Sequence, residues 1–128
     1  MYIKKEPIIP GEIADYHFSE EGILYSYSKS ILRTVDNISR NVELVKQITG
    51  NKPVPLLIFL ESSPMPDKAT RQLSKEKLPE IYSAMAMVSK AGLASFIMKL
   101  LFKLSPPPIP MKQFSTEKEA LEWLKSQK

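Results

Sequence analysis

The alternation of apolar and polar residues near the N-terminus predicts two paired strands. In residues 22–28, "GILYSYS", the side chains of Ile23, Tyr25 and Tyr27 face one way and the residues between them face the other. β-branched and aromatic residues at this spacing favour a strand. An earlier strand within residues 12–18, "EIADYHF", is expected to pair with it, with "EEG" in the turn. The chain is therefore predicted to open with a β-hairpin.

The next segment has the periodicity of a helix. Its apolar residues recur every three or four positions, which places them on one helical face. These residues are Val35, Ile38, Val42, Val45 and Ile48. Either Thr34 or Asp36 is suited to cap the start, Gly50 is suited to the end, and Pro53 forbids continuation.

An apolar run in the middle of the chain predicts a buried strand. Residues 54–60, "VPLLIFL", are apolar on both faces, which is typical of a central strand that is covered on both sides. The loop "ESSPMPD" follows, and Asp67 can cap a helix that reaches about residue 82. Because a proline inside a helix costs about 3 kcal/mol, Pro79 predicts a break near Leu78 and a short second helical piece.

The C-terminal half continues the alternation of strands and helices. Residues 84–89 predict a short buried strand, and an apolar helix is expected over residues 92–104. After the proline-rich "SPPPIP", residues 110–114 form the last predicted strand, and Ser115 or Thr116 can cap a terminal helix. The residues of that helix expected to face the sheet are Ala120, Leu121 and Leu124, with Trp123 at the flank.

The order of elements predicts the fold class. Helices between successive strands favour a mainly parallel sheet with helices packed on it. We predict one α/β domain over residues 1–128, with a sheet of four to five strands and an N-terminal antiparallel hairpin. The length of 128 residues, with 43% hydrophobic and 25% charged residues, is typical of a single globular domain.

Composition narrows the classes of function. The net charge is +4, but the lysines are scattered and no basic block is interleaved with aromatic residues, so we predict no nucleic-acid binding. The chain has no cysteine, and His17 is its only histidine, which excludes zinc–thiolate and multi-histidine sites. No glycine-rich phosphate loop is present. We therefore predict neither a metal nor a cofactor, and the lack of cysteine suits a cytoplasmic protein.

The most hydrophobic stretch does not predict a membrane span. Residues 84–104 are interrupted by Lys90, Lys99 and Lys103 and divided by Gly92, whereas a membrane span needs about 20 mostly uncharged residues. The N-terminus has no long apolar stretch of the kind found in signal peptides. We expect no stable membrane insertion.

Two stretches of the sequence resemble bacterial SpoIIAA-like proteins. The ending "KLLFKLSPPPIPMKQFSTEKEALEWLK" is similar to that family's helix, proline-rich crossing, strand ending in Phe and helix of the form "EEALxWL". The matching residues are Pro106 to Pro108, Pro110, Phe114, Glu119, Ala120, Leu121, Trp123 and Leu124. Upstream, "VELVKQITGNKPVPLLIFL" resembles the family's helix, link and central strand. Over about residues 20–126 the resemblance implies a STAS/SpoIIAA-like fold, related in shape to anti-sigma-factor antagonists and in topology to lipid-carrying SEC14 domains.

The resemblance also implies candidate functional residues. Relatives dock onto partner proteins, and some are phosphorylated on a serine at the start of the helix after the central strand. Ser62 and Ser63 lie in the corresponding region, which makes them the candidate phospho-acceptor and switch loop. Glu61 before them, with Pro64 and Pro66 after them, departs from the family's "DSSG"-like context. The alternative is that this serine–proline stretch is ordinary loop chemistry.

A second candidate site is the soft apolar set Phe96, Met98 and Phe102, together with Met87. An exposed patch of such residues marks a partner or ligand surface, and the alternative is core packing. A lipid or other small apolar ligand held beneath the helix over residues 92–104 would need a cavity of about 300 Å³ or more. Its predicted lining is Phe96, Leu100 and Met87.

The remaining polar residues do not assemble a catalytic site. Glu61 and Asp67 flank the serine loop as a conceivable acid–base pair, or else Glu61 ends the strand in solvent and Asp67 caps the helix. His17 is far in sequence from Ser63, so no nucleophile–base pair is apparent. We predict a non-enzymatic binding and regulatory domain that acts on a partner protein or on itself as a homodimer. The alternative is a carrier or sensor of a small apolar or lipid ligand.

Overall fold

Five strands and three helices make up the described part of the chain. The structure is a computed structural model that describes residues 4–89 and 107–127. The strands are β1 Ala14–Phe18, β2 Leu24–Ser28, β3 Val54–Phe59, β4 Tyr82–Val88 and β5 Met111–Phe114. The helices are α1 Val35–Thr49, α2 Lys68–Ile81 and α3 Glu117–Ser126. The helix predicted over residues 92–104 lies outside the described residues.

The strands form one mixed sheet in the order β1-β2-β3-β4-β5. Strands β1 and β2 are antiparallel, and the other neighbouring pairs are parallel. Leu56 in β3 lies opposite Leu24 in β2 and Met85 in β4, so the predicted central strand occupies the middle of the sheet. Beyond the outer edge of β1, Ile9 pairs with Tyr16 through two backbone hydrogen bonds of 2.8 Å. The predicted α/β fold with its N-terminal hairpin is confirmed.

Helices cover both faces of the sheet. Side chains of α1 and α2 pack with Leu56 of β3 in one apolar layer, whereas α3 packs with Leu57 and Phe59 in the other. Successive side chains of a strand point to opposite faces, so a strand buried on both sides needs apolar residues at every position. This requirement explains the unbroken apolar run of β3.

The N-terminal hairpin has the predicted turn and facing pattern. Gly22 adopts a φ of 81° in the turn, and its backbone N–H donates to the Ser19 carbonyl at 3.0 Å. The buried residues Ile23, Tyr25 and Tyr27 face the α3 layer. The hairpin therefore contributes aromatic side chains to the core.

Helix α1 begins and ends as the sequence predicts. The Thr34 hydroxyl accepts from the Asn37 backbone N–H at 3.1 Å, and the Asn37 side chain accepts from the Thr34 backbone N–H at 2.8 Å. This capping box satisfies two donors at the helix start. Gly50 ends the helix with a φ of 69°. Val42 and Val45 are buried against the sheet.

The break predicted near Leu78 is wrong, because α2 continues through Pro79 to Ile81. Pro79 is exposed and lies in the last turn of the helix, so few intrahelical bonds beyond it depend on its missing N–H. The N–H of Tyr82 still donates to the Leu78 carbonyl, and β4 begins directly at Tyr82. No second helical piece separates α2 from β4.

The terminal helix α3 is capped by Thr116, whose hydroxyl accepts from the Glu119 N–H at 3.3 Å. Ala120 and Leu124 are completely buried against the sheet, as predicted. Trp123 lies at the flank, with its ring centroid 5.7 Å from that of Phe114 on β5.

Candidate functional site

Two loops meet at one edge of the sheet. Because β2 and β3 are parallel, their carboxyl ends lie at the same edge, where α/β proteins commonly bind ligands and partners. The β2–α1 loop is residues 29–34, and the β3–α2 loop is residues 60–67. The Ser30 hydroxyl donates a hydrogen bond to the Ser62 carbonyl, so the two loops are in contact.

Arg33 fixes the β2–α1 loop to the sheet. Its Nη1 donates to the carbonyls of Lys29 and Ile31, at 2.5 and 2.8 Å. Its Nη2 donates to the Ile13 carbonyl at 3.0 Å and to the Ser28 hydroxyl at 2.8 Å. Burial lowers the pKa of the Arg33 guanidinium. One side chain thus joins the loop to the segment before β1 and to the end of β2.

Asp67 closes the β3–α2 loop by capping α2. Its carboxylate accepts from the Thr70 backbone N–H at 2.8 Å, and hydrogen bonding to Thr70 lowers the pKa of Asp67. The Arg71 guanidinium donates to the Pro66 carbonyl at 2.8 Å. Of the two predicted roles of Asp67, the structure shows the cap. Glu61, the other half of the conceivable acid–base pair, is exposed.

Ser62 and Ser63 are both exposed. They lie before Asp67 in the loop, so neither belongs to the first turn of α2, and a carboxylate already occupies the start of that helix. A phosphate on either serine would stand outside the helix terminus. The phospho-acceptor role of these serines stays a prediction.

Exposed apolar side chains lie on the same edge of the molecule. Among the described residues, the large hydrophobic side chains with high exposure are Leu32 at 50%, Val35 at 41% and Met65 at 57%. Leu32 belongs to the β2–α1 loop, Val35 opens α1, and Met65 belongs to the β3–α2 loop. We refer to these three residues with Ser62 and Ser63 as the loop surface. The apolar members have no distinguishing signal in the sequence, since a helical period alone does not reveal that Val35 is exposed.

The other predicted site residues lie elsewhere. Met87 is 2% exposed and packs in the layer beneath α1 and α2. Phe96, Met98 and Phe102 lie outside the described residues, so the ligand or partner surface predicted around them stays a prediction. The Nδ1 atom of His17 lies 3.1 Å from the Pro7 carbonyl oxygen, at the opposite end of β2 from the loop surface.

A cavity of about 160 Å³ lies between the sheet and the helices α1 and α2. Most of its wall is apolar, with contributions from both helices and from strands β1, β3 and β4. Its polar wall includes Tyr16, Ser26, Asn41 and Tyr82, which are all buried, and Arg33. The sequence gives no signal for this cavity, because its volume depends on how the helices settle on the sheet.

Two classes of site are not found in the part of the chain that the structure describes. No group of three or more His, Cys, Asp or Glu residues there is placed to hold a metal ion. In the same residues, no helix has both the length and the apolar character needed to cross a membrane.

The arrangement of the sheet, the hairpin and the helices is a SpoIIAA-like fold. The structure is similar to that of an uncharacterized protein from the DUF3478 family with a SpoIIAA-like fold from Shewanella loihica PV-4. The TM-score is 0.60, with 15% sequence identity over 96% of this chain and 99% of that one. Residues 16–128 match the family described as "Domain of unknown function (DUF7793)", and the chain belongs to this family. A search of curated proteins found no match.

Proposed function

We propose that this chain is a non-enzymatic binding domain that uses the loop surface to dock onto a partner protein or a second copy of itself. The observation that carries the proposal is the exposure of Leu32, Val35 and Met65 on two loops that touch each other. Exposed apolar side chains grouped in this way are typical of protein interaction sites.

The hydrogen bonds that anchor the two loops support docking. A surface that is already ordered loses less conformational entropy when a partner binds. The four hydrogen bonds of Arg33 hold one loop, and the Asp67 cap with the Arg71 contact holds the other. The loop surface is therefore presented in a defined shape.

The surroundings of the loop surface do not suggest catalysis. A serine nucleophile needs a base within hydrogen-bond reach, and His17 lies at the other edge of the sheet from Ser62 and Ser63. Glu61 is exposed, and Asp67 is engaged by Thr70. A binding role in the cytoplasm, consistent with a chain that has no cysteine, fits these residues better than an enzymatic one.

Self-association can be tested with a matched pair of double variants. Leu32→Gln/Met65→Gln removes apolar surface from the loops without changing the net charge. The control, Lys118→Gln/Glu122→Gln, removes one positive and one negative charge from the exposed side of α3, so it also leaves the net charge unchanged. Sedimentation and native mass spectrometry over a range of concentrations measure the dimer dissociation constant. We expect the loop pair to weaken the dimer about tenfold or more, and the α3 pair to leave it unchanged.

A partner other than a second copy can be tested by site-specific photo-cross-linking in the source cells. A cross-linking residue at Met65 is expected to give one adduct of discrete mass, and the same residue at Asn51, on the opposite edge, is expected to give none. The Leu32→Gln change should reduce the Met65 adduct. A chain that stays monomeric at every concentration and gives no discrete adduct at Met65 would refute the proposed function.

The switch role of the serines needs its own measurement. If Ser62 or Ser63 is a phospho-acceptor, protein purified from the source cells carries the mass of one phosphate in the peptide that spans the β3–α2 loop. Ser62→Ala and Ser63→Ala, made singly, identify which of them is modified. Absence of the phosphopeptide under every growth condition removes the switch while leaving the docking proposal intact.

A further inference from the structure

The cavity between the sheet and helices α1 and α2 has the size of a small-ligand site. Its volume is about 160 Å³. An engineered protein cavity of about 150 Å³ with an apolar lining is known to accept benzene, so a ring or short chain of about six carbons fits this space. The apolar wall that would contact such a group includes Ile13, Ile38, Val42, Leu56, Leu78 and Met85.

The polar wall of the cavity includes the side-chain amide of Asn41. Asn41 is 8% exposed, and its side-chain oxygen accepts from the Tyr16 hydroxyl at 2.9 Å. No described residue accepts a hydrogen bond from the Asn41 amide nitrogen. An amide nitrogen carries two N–H donors, so a ligand that brings an acceptor to this wall would accept a hydrogen bond from Asn41.

The charges around the cavity have one sign. Arg33 and Lys77 line it, and no Asp or Glu is among the described residues of its lining. The Lys77 ammonium lies 3.3 Å from the Glu80 carboxylate, whereas no acidic side chain of residues 4–89 or 107–127 forms an ion pair with Arg33. The half-buried guanidinium therefore lacks a counter-ion, and its surroundings favour a negatively charged group.

The buried phenols of the wall remain neutral. Burial raises the pKa of Tyr16 and raises that of Tyr82 well above its ordinary value. Neither therefore adds negative charge to the cavity near neutral pH. The part of the wall that the structure describes is thus positive and contains no carboxylate.

We propose that this cavity binds a small apolar carboxylate, with its ring or chain against the apolar wall and its carboxylate towards Asn41 and Arg33. The chemical class is an aromatic or short-chain aliphatic acid. This site is separate from the loop surface, since Leu32, Val35 and Met65 do not line the cavity.

The test uses three probes of nearly equal shape and different charge. Benzoate, benzamide and benzylamine are titrated separately into the ¹⁵N-labelled full chain, and amide chemical shifts report both affinity and location. We expect benzoate to shift the side-chain amide of Asn41 and the backbone amides of Ser26 and Tyr82. Because hydrogen bonds to a charged group are stronger than those to a neutral one, benzamide is expected to bind about tenfold more weakly. Benzylamine is expected not to bind.

A change of one atom at Asn41 provides the matched variant. Asn41→Asp keeps an oxygen acceptor for the Tyr16 hydroxyl but puts a carboxylate in the wall, so benzoate binding should be lost. Asn51→Asp makes the same chemical change at an exposed position on the far edge and should leave benzoate affinity unchanged. If circular dichroism shows that Asn41→Asp does not fold, Val42→Phe, which fills the cavity, should abolish benzoate binding instead.

Distinct outcomes separate this proposal from the docking proposal. Equal affinity for the three probes, or shifts confined to residues away from the cavity, overturns the carboxylate site whatever the oligomeric state. Benzoate binding that persists in Leu32→Gln/Met65→Gln supports two independent sites. Wild-type protein that shows no shift with benzoate at millimolar concentration also overturns it.

Discussion

Replacing Arg33 with Met tests whether a single side chain fixes the β2–α1 loop. The change removes four hydrogen bonds, of 2.5 to 3.0 Å, to three backbone carbonyls and the Ser28 hydroxyl. A hydrogen bond contributes about 1 kcal/mol net, and more when the donor is charged, but water replaces part of it at a half-buried site. We therefore expect Arg33→Met to lower the free energy of unfolding by about 2–4 kcal/mol.

Arg33→Lys separates charge from geometry. A lysine keeps the positive charge, but its ammonium is a compact point that cannot reproduce the planar fork of the guanidinium. We expect about half of the stability loss of Arg33→Met. Urea unfolding followed by the fluorescence of Trp123, the chain's single tryptophan, measures both variants. Hydrogen exchange over residues 29–34 should become faster in both, because the loop loses its attachment.

The control is Arg40→Met, because Arg40 is also an arginine held by hydrogen bonds, in its case two bonds to one exposed partner. Its guanidinium donates to the Glu12 carboxylate at 2.5 and 3.0 Å, but both side chains are exposed. Exposed ion pairs contribute little, so stability should stay close to that of the wild type. The anchoring role of Arg33 is refuted if Arg33→Met unfolds at the same urea concentration as Arg40→Met, or if exchange over residues 29–34 is unchanged.

Three further changes test the fold and its pH dependence. Thr34→Ala removes an acceptor of the capping box and should cost about 1 kcal/mol in urea unfolding, whereas an unchanged midpoint would contradict the cap. Val45→Ala leaves a hole at a fully buried position and should cost about 2–3 kcal/mol by the same assay; a loss as small as that of an exposed substitution would contradict its burial. Burial raises the pKa of Tyr25 to about 12 from 10.0, so folding favours its protonated form, and the resulting stability is present below pH 10 and lost as pH rises to about 12. The free energy of unfolding should fall less steeply with pH across that range in Tyr25→Phe than in the wild type, and equal slopes would contradict the raised pKa of Tyr25.

Periodicity predicts most of the fold because each signal is local. The unbroken apolar run of β3 requires cover on both faces, and the alternation in β2 separates its two layers. Both patterns follow from the direction of successive side chains along a strand. The caps Thr34, Asp67 and Thr116 could also be predicted from the sequence, since each directly precedes a helix and has a side-chain oxygen that can accept a hydrogen bond.

The error at Pro79 shows the limit of a local rule. The cost of a proline depends on how much helix follows it, and here α2 ends two residues later. The sequence predicts the end of the helix correctly near residue 82, but it also predicts an interruption near Leu78 that the structure does not contain. The helix ends at Ile81 because β4 starts at Tyr82, and the position of β4 cannot be read from the residues around Pro79 alone.

The candidate sites were harder to predict from the sequence than the fold, because they depend on contacts between residues that are far apart in the chain. Arg33 receives its acceptors from residues 28–31 and from the distant Ile13, and nothing in "KSILRTVD" distinguishes it from any surface arginine. The exposure of Met65 depends on the path of a proline-containing loop. Asn41 is a polar residue that the sequence pattern does not place on the apolar face of α1, yet its side chain lies in the interior, where it accepts a hydrogen bond from Tyr16. The loop position of Ser62 and Ser63 could be predicted from the sequence, because these serines follow a recognisable buried strand.

The margins of the sheet limit how this molecule can assemble. At β1 the backbone groups of Tyr16 are already taken by Ile9, and the opposite margin, β5, is four residues long with Lys112 and Gln113 projecting into solvent. Short margins with charged residues discourage the addition of a strand from another chain. Polymerisation by edge-to-edge growth is thereby disfavoured at both margins that the structure describes, which favours complexes formed through side chains on loops or helices.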